Sequence, residues 1–141
     1  MAPTTVPPPS GRAARAPDTV APDGSEIRLL ATSAQGAARA SVCEVRLAPG
    51  TVSRPVRHRT VEEIWYVTSG SGRVWRCPPG GTAEPIEVTA GDTLVIPTGW
   101  SFQFSAAPDA ELRFVCFTTP PWPGPEEAEA VPFGGLGPPT V

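Results

Sequence analysis

Between residues 25 and 119 no run of ten residues carries a helical period, and Gly and Pro turns separate the apolar segments at near-regular spacing. That punctuation removes helices from consideration and leaves short strands. Ser41-Val-Cys-Glu-Val-Arg-Leu47 alternates, with Cys43, Val45 and Leu47 on one face and Glu44 and Arg46 on the other. A period of two marks a half-buried strand. Ile64-Trp-Tyr-Val67, Arg73 to Cys77, Ile86 to Val88, Thr93 to Ile96, Ser101 to Phe104 and Glu111 to Thr118 read as further strands. With Ile27 to Leu30 and the extended Arg54 to Thr60, they make eight or nine strands. The fold class is therefore all-β, an antiparallel sandwich or barrel. A small closed barrel holds one small ligand. Open sheet edges tend to be covered, so a homodimer is expected.

The two ends differ from this body. Residues 1–24 are rich in Pro, Ala and Thr without hydrophobic period, and read as an arm that is flexible or extended against the body. Residues 120–141 form a Pro/Gly-rich tail with a short acidic patch, in which Trp122 and Phe133 are candidate pins to the body. The body itself spans 25–119, one domain by length.

Composition narrows the function classes. The net charge is −3, and no basic stripe points to nucleic acid. No apolar run approaches membrane-spanning length, and Arg12 and Arg15 are not followed by the apolar core of a secretory signal, so a cytoplasmic protein is expected. Lysine is absent, which removes Schiff-base chemistry. The three cysteines, Cys43, Cys77 and Cys116, form no metal-binding pair by spacing. Cys43 and Cys116 fit buried positions, whereas Cys77, beside Pro-Pro-Gly-Gly, fits a more exposed one.

Chemistry concentrates in one stretch, His58-Arg-Thr-Val-Glu-Glu-Ile-Trp-Tyr-Val-Thr-Ser-Gly70-Ser-Gly72. The only histidine precedes Glu63 by five residues, at the start of an apolar strand that ends in a Gly-Ser-Gly turn. One imidazole and one carboxylate on a hairpin suit a metal site, an acid/base pair, or a structural hydrogen bond.

Gly50, His58, Glu63 and Gly70 resemble the first motif of the cupin family. Gly91-Asp-Thr-Leu-Val-Ile-Pro97-Thr-Gly99 resembles the second, and the match covers roughly residues 40–118. The resemblance implies a cupin-type antiparallel β-barrel, or jelly roll, flanked here by Pro-rich arms. Metal-binding cupins hold a transition metal with three His and a Glu; here two of the histidine positions are Val56 and Phe102. His58 and Glu63 are the surviving ligands, too few for a tight site alone. Glu62, Gln103 and Cys77 are the available stand-ins, and Gln103 is out of phase with Phe102 and Phe104.

By the family's geometry Val56, His58, Glu63, Trp65, Val67, Phe102, Phe104 and also Trp75 point inward, and Trp100 sits near the barrel mouth. These aromatic and aliphatic residues would bind a small, largely apolar substrate. His58 and Glu63 would be the catalytic pair, with no cofactor. The function implied is a metal-independent isomerase or cyclase acting on a small organic molecule, as in natural-product biosynthesis. A non-catalytic ligand-binding cupin is one alternative. A metal-dependent oxygenase or isomerase using His58 and Glu63 as its reduced ligand set is the other.

Overall fold

The computed structural model describes residues 6–141; the first five residues of the expected N-terminal arm lie outside the described residues. Eleven strands form among the described residues: β1 (Thr19–Val20), β2 (Glu26–Ala31), β3 (Ser41–Leu47), β4 (Val56–His58), β5 (Glu62–Ser69), β6 (Ser71–Cys77), β7 (Ile86–Thr89), β8 (Thr93–Ile96), β9 (Ser101–Ala106), β10 (Leu112–Thr119) and β11 (Ala128–Ala130). Two 3₁₀ turns, Ser33–Gln35 and Pro125–Glu127, complete the set, and among the described residues no helix is long and apolar enough to cross a membrane.

The strands make two antiparallel sheets, ordered β1-β2-β3-β10-β5-β8 and β11-β4-β9-β6-β7. The all-β jelly-roll expectation is met, as two facing sheets that do not close into a continuous barrel. Period-two patterning explains the layering. In β5 the residues alternate strictly, with Glu63, Trp65 and Val67 buried and Glu62, Ile64 and Tyr66 exposed. The inner faces meet in an aromatic core. Trp65 stacks on Phe114 at 4.1 Å between ring centroids, and Phe104 meets both rings edge-on at 5.2 and 5.4 Å.

The β5–β6 hairpin depends on its glycines. Gly70 adopts φ +79°, and a Cβ there would collide with the Glu111 carbonyl. At Gly72 a Cβ would strike the Ser105 carbonyl, so β9 approaches its neighbour closely only because no side chain intervenes.

Two short strands escape the periodicity argument. β1 pairs with β2, and β11 pairs with the β4 edge, setting Ala128 against His58 and Ala130 against Val56. Two or three residues are too few to show a period, and pairing with an existing edge supplies the structure instead. Further along, Gln103 Nε2 donates to the Ser53 and Gly137 carbonyls, and its Oε1 accepts from Leu136 N–H. Gln103 is fully buried, on the sheet face opposite Phe102 and Phe104, because residues 134–137 cover it. At the other end, Arg28 donates to the carbonyls of Ala14 and Arg15.

Candidate functional site

β4 carries His58 to the edge of the inner face. The Gly99 N–H donates to the His58 carbonyl at 3.0 Å, and the Arg59 N–H donates to the Glu127 carbonyl at 3.0 Å. The imidazole then lies between two aromatic rings, edge-on to Phe102 at 5.0 Å and to Trp122 at 5.2 Å. Trp122 is therefore a pin of the tail, reinforced by its N–H donating to Ser41 Oγ at 2.9 Å. Phe133, the other candidate pin, is 83% exposed and holds nothing.

Glu63 enters from β5, across the strand pair from Thr118. Its Oε1 accepts the Trp65 indole N–H at 2.9 Å, and Cys116 and Thr118 also hydrogen-bond the carboxyl. Its Oε2 lies 3.8 Å from His58 Nδ1, beyond hydrogen-bond length, and that nitrogen is buried with no partner. A buried polar atom without a protein partner is rare.

Burial sets the charge of both groups. It raises the Glu63 pKa to about 7, against the lowering effect of the bonds from Trp65, Cys116 and Thr118 and with a further push from the Asp23 charge. It lowers the His58 pKa to about 4, only partly offset by the Glu127 carboxylate. Desolvation disfavours the charged form in each case, so His58 is neutral above about pH 4 and Glu63 holds its proton up to about pH 7. Glu127 itself is destabilised by burial, yet bonds from the Thr60 hydroxyl and N–H keep its pKa below the ordinary value.

The pair opens into a cavity of about 400 Å³ between the sheets. Of the residues expected to line it, Val56, His58, Glu63, Trp65 and Phe102 do so. The other four lie outside its lining. Val67 and Phe104 are buried in the core away from the cavity. Trp75 pairs with Gln103 and shares its outer face, with Gly135 against its ring; the inward position on β6 belongs to Val74. Trp100 borders a separate depression with Arg76, Ile86 and Val95.

Trp122, Phe114, Cys43 and Cys116 also line the cavity, as does Asp23 in the β1–β2 turn. Sequence reasoning placed none of them there. The signal for Phe114 and Cys116 was β10 parity; for Asp23 and Trp122, in the arms, no periodicity existed to read. Cys77, expected toward the surface, is buried, with Sγ 3.2 Å from the Gly81 carbonyl. Arg57 and Arg59 face outward and pair with Glu129, and Arg76 donates to the Val95 carbonyl, so these three guanidiniums are engaged elsewhere.

The donor set does not fit a transition metal. Among the described residues no three His, Cys, Asp or Glu side chains converge on one point. Val56 and Phe102, paired across β4 and β9, put hydrocarbon where further ligands would be needed.

The cupin domain profile matches residues 43–118. An uncharacterized protein of Methanocaldococcus jannaschii is 30% identical over 101 residues, which is 71% of this chain and 77% of that one. Among solved structures, the polyketide cyclase RemF from Streptomyces resistomycificus is similar with a TM-score of 0.65 and 25% identity, over 88% of this chain and 82% of that one. Oxalate decarboxylase from Bacillus subtilis is similar in fold, with a TM-score of 0.69 at 17% identity. This chain spans 30% of the decarboxylase's length and 29% of that of the coconut allergen cocosin, another structure of similar fold.

Proposed function

We propose, for a chain that belongs to the cupin family, that its cavity binds a small, largely apolar organic molecule and catalyses a proton-shuttling isomerisation or cyclisation without a metal. The observation that carries this is His58 Nδ1, buried, without a partner and 3.8 Å from the Glu63 carboxyl. The polyketide cyclase among the similar structures supports a cyclase-type reaction over most of both chains.

In this reading Glu63, in its acid form, donates a proton to a substrate carbonyl oxygen. The His58 imidazole removes a proton from the adjacent carbon. The products are an enol, a Glu63 carboxylate and a His58 imidazolium, held side by side in a site of low dielectric. In a cyclisation the enol carbon attacks a second carbonyl, the enol hydroxyl proton passes to Glu63 and the imidazolium proton to the new alkoxide. In an isomerisation the imidazolium protonates the second carbon and Glu63 takes the enol hydroxyl proton. Either route restores the neutral pair. Trp65, Phe102 and Trp122 fold the substrate into the reactive conformer.

The experiment is a turnover screen of small aromatic and polycarbonyl ketones on metal-stripped protein, followed by His58→Ala and Glu63→Gln. Each variant is expected to lose roughly 100- to 10,000-fold in kcat, the range for a positioned acid or base. Unchanged turnover in both variants contradicts the proton shuttle. If no ketone turns over but ligands still bind, the alternative of a non-catalytic ligand-binding cupin stands. A cytoplasmic setting belongs to the same reading and agrees with three free thiols.

The same reading includes a homodimer. Phe117, Ile64 and Val95 align across β10, β5 and the edge strand β8, all exposed on the outer sheet face. A second copy laid on this row would cover both the apolar stripe and the open edge. Ile64→Glu is expected to convert a dimer into a monomer by light scattering.

A further inference from the structure

Beyond the His58–Glu63 pair, the cavity presents a second carboxyl. Asp23 sits in the β1–β2 turn, where Ala21 N–H donates to Ser25 O and Gly24 N–H to Ala21 O. Its Oδ1 accepts both the Ser25 N–H at 2.9 Å and the Ser25 hydroxyl at 2.6 Å. Those two bonds fix the carboxyl plane. Among the described residues Oδ2 takes no hydrogen bond, and the side chain borders the cavity that Glu63 borders. The two acids are near enough for the Asp23 charge to act on Glu63.

The charge balance of the lining is one-sided. Its titratable groups among the described residues are Asp23, Glu63, His58 and the thiols of Cys43 and Cys116. The chain has no lysine, and no Arg is among the lining residues. Burial raises the Asp23 pKa, against the bonds from Ser25 and the charge of Arg54, which is exposed and turns its Nε to the Val141 carbonyl at 2.9 Å. A carboxylate or phosphate in this cavity would face two acids and no counter-charge inside low-dielectric walls, which is costly. A hydroxyl would find an acceptor at Asp23 Oδ2 and the proton-transfer pair elsewhere.

We infer that Asp23 forms a second polar subsite, taking a hydroxyl of an uncharged aromatic ligand, and that with Glu63 it excludes anions from the cavity. This rests on the cavity reading above and adds the ligand class to it.

Two probes on one ring scaffold test it by calorimetry at about pH 7.5: naphthalene-2,6-diol and naphthalene-2,6-dicarboxylate. The wild type is expected to bind the diol at least tenfold more tightly. Asp23→Asn keeps an Oδ1 for Ser25 and removes the anionic acceptor, so an intact melting transition accompanies the test. That variant is expected to lose at least fivefold for the diol and to gain at least threefold for the dicarboxylate. Wild-type binding of the two probes within threefold of each other overturns the inference and leaves the cavity reading in place. So does an Asp23→Asn variant that binds both probes as the wild type does. Binding of neither probe by folded wild type overturns both.

Discussion

Burial drives Glu63 and His58 toward neutrality from opposite directions, and this gives each residue a separate pH signature. Glu63 has a folded pKa of about 7, above its unfolded value of 4.5. Its contribution to stability is complete below pH 4.5 and is lost as pH rises to about 7. His58 has a folded pKa of about 4, below its unfolded value of 6.5. Its contribution is complete above pH 6.5 and is lost as pH falls to about 4. Glu63→Gln cannot ionise, so its stability relative to wild type should climb between pH 4.5 and 7, by on the order of 3 kcal/mol. Urea unfolding across that range checks it; a difference that stays flat with pH contradicts the assigned Glu63 protonation. The same two values place maximal turnover between about pH 4 and pH 7, where acid and base coexist.

At the scale of elements, the tail makes several separable attachments. Gln103 makes three hydrogen bonds that join β9, the Ser53 segment and residues 136–137. Gln103→Leu leaves the Leu136 N–H and two carbonyls without partners, and is expected to cost about 2–3 kcal/mol by thermal or urea unfolding. Trp122→Ala should cost less, about 1–2 kcal/mol for the partly exposed ring, and open the imidazole to water. The expected readout is faster amide exchange in β11 with little change in the core strands. The body strands were legible where apolar and polar residues alternate over four or more positions, as in β3 and β5. The arms were not legible, because β1 and β11 exist only through pairing with edges already built. His58, Glu63, Trp65 and Phe102 were readable as cavity residues through the motif resemblance, whereas Asp23 and Trp122, in the arms, lie outside those motifs. Trp75 illustrates the limit of parity: β6 buries Val74 inward, while the tail buries the face that carries Trp75.

At the scale of the molecule, Val56 and Phe102, paired across β4 and β9, stand where the resemblance to metal-binding cupins implies histidine ligands. Both are nearly fully buried, so their hydrocarbon contributes to the core as well as denying ligands to a metal. Val56→His combined with Phe102→His would return nitrogen donors to those positions. The double variant is expected to take up about one Zn²⁺ or Mn²⁺ per chain by elemental analysis, whereas the wild type takes up none at equal concentration. The central claim, a metal-free and neutral His58–Glu63 pair in a buried cavity, is accessible directly because the chain contains a single histidine. Its imidazole ¹⁵N resonances need no assignment and report tautomer, charge and metal binding together. The measurement is their titration between about pH 3 and pH 9, with and without added Zn²⁺. The account predicts a neutral imidazole down to about pH 5, a smaller inflection near pH 7 that vanishes in Glu63→Gln, and no response to Zn²⁺. An imidazole that protonates at its ordinary pKa of 6.5 or above, or that shifts stoichiometrically with Zn²⁺, would contradict it.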